Sequence, residues 1–325
     1  MKALVYEGEE LLRYRDVPDV VAGQGEHLIQ VEAVGICGSD MHAYLGHDAR
    51  RPAPLILGHE AAGVVVGGAM DGKRVTVNPL VTCGACPACT SARENLCPSR
   101  QIISMPPREG AFAQYIAMPD RNLVAVPDHV PLARAALAEP LAVGWHAVRL
   151  ALAALHPSEE RSALVIGGGA IGLAAALALR ALGVADVTIT EPNAARRAFL
   201  ASLGERTVSQ AEGQYPVMID AVGYAATRAI VSALVNPGGV IAHVGLGEDE
   251  GGLDVRRMTL QEVTFIGTYT YTAQDFRDTA AAIFDGRLGA LDWCRHMPLS
   301  DGAAAFAALR RGEIAEPKII LDPWA

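Results

Sequence analysis

The stretch S162-A-L-V-I-G-G-G-A-I-G-L-A-A-A-L-A-L-R180 decides the fold. A short apolar run, ALVI, reads as a buried strand, three glycines break it, and an Ala/Leu segment of helical length follows at once. Gly167, Gly169 and Gly172 stand in the order G-x-G-x-x-G across that turn, with Ala170 and Ile171 opening the helix. In such a turn the first glycine permits the tight bend, the second lets backbone approach a pyrophosphate, and the third lets helix pack on strand. The helix N-terminus then faces the phosphate charge. Nineteen residues beyond Gly172, at the end of the run DVTIT, stands Glu191. A carboxylate there accepts both ribose hydroxyls of adenosine and repels a 2′-phosphate, which points to NAD over NADP. Arg196 and Arg197 follow closely, and either is able to hold a phosphate instead.

Outward from this turn, short apolar runs alternate with Ala/Leu-rich segments: DVTIT, NAARRAFLASLG, VMIDAVG, AATRAIVSALV, GVIAHVGL. Strand-helix alternation predicts an α/β unit, a parallel sheet covered on both faces. Residues 1–135 differ. KALVY, HLIQVEAVG, AAGVVVGG, KRVTVNP and FAQYIAM are short, rich in Val, Ile and Tyr, and bounded by Gly, Pro or Asp, which predicts an antiparallel β-rich unit. After VTFIGTY come two amphipathic helices, DFRDTAAAIFDG and DGAAAFAALRRG, and a last strand, KIILD.

At 325 residues the chain has room for about two domains. Its net charge of −9 is spread along the sequence without a Lys/Arg cluster, which argues against nucleic acid as a partner. The N-terminus MKALVYEGEELLRY lacks the apolar core of a secretory signal, so a cytoplasmic location is expected. The longest uncharged run, Ser162 to Leu179, is interrupted by glycines and reads as strand and helix, with no membrane span expected.

Two groups of metal-ligand residues stand out. Cys83, Cys86, Cys89 and Cys97 have the spacing C-x2-C-x2-C-x7-C, which lets one loop present four thiolates to zinc. Such a closed set is structural, and C-x2-C spacings would strain a disulfide. The second group is dispersed: Cys37 in GICGSDMH, His59-Glu60 in LGHEAAG, and Glu139 in AEPL. Cysteine, histidine and carboxylate together suit an open zinc site, although spacing alone does not join Cys37 to Glu139.

With these residues in view, the chain resembles the zinc-dependent medium-chain dehydrogenases, nearest to their sorbitol and polyol branch. GICGSDMH (35–42), LGHEAAGVV (57–65), the Cys83–Cys97 lobe, ALAEPLAVGWHAVR (136–149), GGGAIG (167–172) and IDAVG (219–223) carry the resemblance nearly end to end. It implies a GroES-like β-rich catalytic domain, residues 1–136 with 274–325, and a Rossmann doubly wound parallel-sheet cofactor domain, residues 137–273. It implies two zinc ions per chain, the catalytic one on Cys37, His59 and Glu139, with Glu60 ligating directly or through water. Asp40 would orient the histidine, Ser39 would receive the substrate proton, and His42 would pass it on by way of the cofactor ribose. A small alcohol or polyol is the implied substrate, bound in a cleft between the two domains. A homodimer or homotetramer is the implied assembly, joined through an edge strand such as GVIAHVGL or VTFIGTY. The alternative within the family is an NADPH-dependent reductase of aldehydes or ketones. A more distant one is a dinucleotide-binding protein without catalysis.

Three departures from the family pattern are visible. Thr270 stands where polyol dehydrogenases often carry an arginine, GVVVGGAMDGKRVTV is short between its strands, and the chain between Leu203 and Val217 is too short for a full strand-helix-strand crossover. Tyr44, Phe112, Trp145 and Tyr271 read as packing residues before pocket residues. Cys294 reads as a small buried hydrophobe, and His47, His129, His156, His243 and His296 as structural.

Overall fold

The computed structural model describes residues 1–325, which form two compact units, Met1–Glu139 with Thr272–Ala325, and Pro140–Tyr271. No helix is long and apolar enough to cross a membrane.

The first unit is built on a seven-stranded sheet. Its path runs Leu123–Ala125, Arg74–Val77, Glu60–Val66, Glu26–Gly35, Lys318–Asp322, Cys294–Pro298, with Tyr115–Pro119 also paired to Glu26–Gly35. All pairings are antiparallel except the last, where Cys294–Pro298 lies parallel to Lys318–Asp322. That strand was not foreseen: CRHMP has no apolar alternation and ends in proline. Along Glu26–Gly35 the alternate residues Ile29, Val31, Ala33 turn into the core, the pattern of a strand with one buried face. Tyr44 and Phe112 both pack on Phe306, ring centroids 5.3 and 5.9 Å apart, and so belong to the core. The register places Gly35 opposite Glu60 on one side and Ile320 on the other. The ends of three strands therefore converge beside Cys37.

The second unit is a six-stranded, all-parallel sheet, Thr207–Val208, Asp186–Thr190, Ser162–Ile166, Tyr215–Asp220, Val235–His243, Thr264–Gly267. Numbered from Ser162–Ile166, the order is 3-2-1-4-5-6, that of doubly wound dinucleotide-binding sheets. The edge strands are Thr207–Val208 and Thr264–Gly267. Val235–His243 is paired on both sides, so GVIAHVGL is not an edge. Its run of buried residues, Val240 to Ala242, fits an interior strand.

The shortened crossover is explicit. Only residues 209–214 join Thr207–Val208 to Tyr215–Asp220, and no helix intervenes. The registers set Val208 level with Thr190, Ile166 and Asp220, three strand spacings from the strand that Tyr215 begins. Strand spacing and rise put Val208 and Tyr215 about 22 Å apart. Seven helical steps would cover only about 10 Å, whereas extended chain reaches about 23–25 Å. The connection is helix-free because a helix would not reach.

Candidate active site

Gly38–Tyr44, a seven-residue helix, follows directly on Cys37, whose backbone N–H donates to Asp40 Oδ2 at 3.0 Å. Gly58 N–H donates to Asp40 Oδ1 at 3.2 Å, and the same oxygen lies 3.4 Å from His59 Nδ1. Asp40 is fully buried. Burial raises its pKa, but His59, Arg51 and the Cys37 N–H outweigh that and lower it. Burial pulls the His59 pKa down, yet Asp40 and Cys37 lift it well above the ordinary range.

One ligand atom each from Cys37, His59 and Glu60 lies within 4.8 Å of the others. Glu139, the second residue of the helix Ala138–Ala154, is buried at 7% exposure but falls outside this 4.8 Å group. Its charge does reach the site, since it helps raise the pKa of Lys318. Ser39 is half-buried on the same short helix as His42, which is exposed and one turn further along. His47, His129, His156, His243 and His296 lie outside the cluster.

Four residues of this neighbourhood were missed by sequence reasoning. Lys318 Nζ donates to Glu60 Oε1 at 2.6 Å and to Ile36 O at 2.9 Å, both ends sealed from water. Burial lowers the pKa of this lysine, but Glu60 and Cys37 raise it by more. Gly35 leaves room for the carboxylate, because a Cβ there would collide with Glu60 Oε2. Arg51 is buried at 3% exposure and donates to Ser39 and Ser104, and Ser104 Oγ lies 3.4 Å from His59 Nδ1. Lys318, Arg51 and Ser104 have no motif around them and are recruited across the fold, whereas Gly35 opens the stretch GICGSDMH, where nothing in the sequence marks its contact with Glu60. Cys294, beside Lys318 in register, is only partly buried and its thiol is pushed up to about 12 by desolvation, so it is neither fully buried nor a thiolate.

The structure allows a test of whether these residues suit a metal. Glu60 Oε2 is buried and has no hydrogen-bond partner, and it sits with a thiol and an imidazole, donors that zinc accepts. A cation would satisfy that oxygen. In the second group, Sγ atoms lie 3.8 Å apart for Cys83 and Cys89, 3.5 Å for Cys86 and Cys89, and 3.6 Å for Cys83 and Cys97. A zinc–sulfur bond of about 2.3 Å gives a tetrahedral edge of about 3.8 Å, so the four thiols match such a site. Backbone N–H groups of Ala85 and Cys86 draw the Cys83 thiol down to about 6, while desolvation and Cys86 push Cys89 up to about 11. Four thiols this close do not all ionise without a dication among them.

In the second unit the glycine turn is shaped for a dinucleotide. Gly167 takes φ +97°, and a Cβ on Gly172 would collide with Gly167 O, so helix and strand are in contact there. A Cβ on Gly169 would meet nothing within 4 Å, and the helix Ala170–Ala181 begins there. Glu191 is buried at 5% exposure and held by Gly168 N–H at 3.0 Å and Asn193 N–H at 2.8 Å. Arg196 Nη1 stands 4.0 Å from it. Trp145 and Tyr271 are buried, and Thr270 holds a left-handed φ of 46° with its Oγ1 buried and unpartnered.

Comparison with known proteins agrees with both halves. Residues 23–128 match the alcohol dehydrogenase GroES-like domain, and residues 170–285 match the zinc-binding dehydrogenase domain. Over 302 residues the chain is 33% identical to L-galactonate-5-dehydrogenase of Escherichia coli, covering 87% of this chain and 86% of that one. Over 296 residues it is 34% identical to sorbitol dehydrogenase of Bacillus subtilis, covering 83% and 82%. Galactitol-1-phosphate dehydrogenase from Escherichia coli superposes with a TM-score of 0.88 at 25% identity, over 99% of this chain and 100% of that one. The chain belongs to the zinc-binding medium-chain dehydrogenases, in their sorbitol and polyol dehydrogenase branch.

Proposed function

We propose that this protein is an NAD-linked dehydrogenase that oxidises a secondary hydroxyl of a polyol or sugar acid, with one catalytic and one structural zinc per chain. The observation that carries the reading is the convergence of Cys37, His59 and Glu60 within 4.8 Å of one another, with Glu60 Oε2 buried and unpartnered. Cys37, His59 and Glu60 would hold the catalytic zinc with Glu139 in reach, and Cys83, Cys86, Cys89 and Cys97 the structural one. When bound, zinc supplies a Lewis acid that makes a hydroxyl acidic near neutral pH, and NAD accepts the hydride. The chain's own residues do the rest. Asp40 takes the Nδ1 side of His59, which leaves Nε2 for ligation. Ser39 Oγ takes the proton of the substrate hydroxyl as its own proton leaves, and His42, exposed one turn on, delivers a proton to water.

Glu191, fixed by two backbone N–H groups, supports NAD. One observation favours NADP instead: Arg196 Nε is buried without a partner beside that carboxylate, a donor that a 2′-phosphate would use. The outer edge of Thr264–Gly267 supports a dimer or tetramer. Initial rates with NAD and NADP across polyols, sugar acids and simple secondary alcohols test the reading. We expect turnover of at least one polyol or sugar acid and a preference of about tenfold or more for NAD. A strong NADP preference sinks the role given to Glu191, and no turnover of any hydroxyl substrate by zinc-loaded protein sinks the activity.

A further inference from the structure

We infer that Arg51 is a positioning residue that sets the direction of the Ser39 hydroxyl, an inference that rests on Ser39 acting as proton acceptor. A guanidinium has five N–H donors, and here each has its own acceptor. Nε donates to Ser104 O at 3.0 Å, Nη1 to Ser39 O at 3.3 Å and Asp48 Oδ2 at 2.7 Å, and Nη2 to Ser39 Oγ and Ser104 Oγ at 3.4 Å each. Asp48, its side chain 7% exposed, supplies a carboxylate that Arg51 shares with Arg50, and every donor of the Arg51 guanidinium is taken without any ligand. Such a group is fixed in place, and what it touches is fixed with it.

The consequence for Ser39 follows from valence. A hydroxyl has one proton and two lone pairs, and an arginine only donates. With Arg51 on one lone pair, the Ser39 proton cannot point toward Arg51. One lone pair remains to accept the substrate's proton, while the hydroxyl's own proton leaves in another direction, so the serine ends unchanged. The same guanidinium pins Ser104, whose backbone holds a left-handed φ of 70° and whose Oγ reaches His59. Serine and histidine are thereby referred to one rigid group that comes from neither motif.

Kinetics of zinc-loaded protein with Arg51→Met, Arg51→Lys, Ser39→Ala and the Arg51→Met/Ser39→Ala double variant test this. Crystal structures of the wild type and Arg51→Met accompany them. Arg51→Met should lower kcat about tenfold with KM within about threefold, and Arg51→Lys should recover part of the loss. In the Ser39→Ala background the same change should cost less than about twofold, because the group it orients is gone. In the crystal, the Ser39 hydroxyl should leave its wild-type position. A hydroxyl that stays in place in Arg51→Met overturns the inference, as does an equal loss of kcat in both backgrounds. If Arg51→Met does not fold, Arg51→Lys, with three donors instead of five, carries the same two comparisons. A displaced hydroxyl together with a fully active Ser39→Ala supports the hold of Arg51 on Ser39 and overturns only the proton role of Ser39.

Discussion

Lys318 and Glu60, 258 residues apart in sequence, meet at 2.6 Å with side-chain exposures of 2% and 0%. A buried pair of this kind is weak evidence of net stability, but removing one partner strands the other charge. Lys318→Met should cost about 3–5 kcal/mol in urea unfolding of zinc-free protein, and adding Glu60→Gln should return much of it. A Lys318→Met midpoint equal to wild type would show that Glu60 is not charged there.

The Cys83–Cys97 lobe should be separable from catalysis. Cys97 is the buried member of the four, so Cys97→Ser should lose one equivalent of zinc and lower the thermal midpoint by several degrees. Metal analysis and a thermal scan check it. Full thermal stability with both zinc ions retained counts against a structural role.

Two glycines of the cofactor turn should answer differently to alanine. Gly172→Ala forces a methyl against Gly167 O and should cost about 1–3 kcal/mol or more. Gly169→Ala meets open space and should fold normally, yet weaken NADH binding about tenfold or more because the methyl occupies the approach to the pyrophosphate. Unfolding curves and NADH fluorescence titrations give both numbers. A Gly169→Ala protein that binds NADH as wild type would move the pyrophosphate elsewhere.

Asp220 should make part of the acid limb of stability. Burial raises its pKa, but His243, whose Nδ1 is 3.2 Å away, the N–H groups of Gly223 and Val222 and the Thr227 hydroxyl outweigh that and lower it. A carboxyl whose folded value is depressed stabilises the fold above its unfolded value of about 3.9 and loses that contribution as pH falls through the folded value. Asp220→Asn should be less stable by about 1–3 kcal/mol at neutral pH, with the difference shrinking below about pH 4. A difference that stays constant from about pH 7 to pH 3 would remove Asp220 from the acid limb.

The sequence reveals most where chemistry and local geometry coincide. The turn at Gly167–Gly172 and the four clustered cysteines were readable because neighbours in the chain are neighbours in space. Cys37 and His59 required a family resemblance to be joined, since strand pairing between Glu26–Gly35 and Glu60–Val66 is what brings them together. Lys318, Arg51 and Ser104 were invisible: an isolated Lys, Arg or Ser has no spacing to read, and each acquires its partners through long-range packing. The strand Cys294–Pro298 escaped for a related reason, being held by its neighbour more than by its own propensity.

The six residues between Val208 and Tyr215 also set a limit on length. A flat sheet sets about 22 Å between their ends, and the segment crosses it with bends at Ser209, Gln210 and Gly213, within the reach of an extended chain, about 23–25 Å. Deleting two of them would shorten the reach to about 17–18 Å, and the two-residue strand Thr207–Val208 would have to come away from Asp186–Thr190. Insertions there would add only slack. At this point the length of the chain, more than its composition, decides that no helix stands between the two strands.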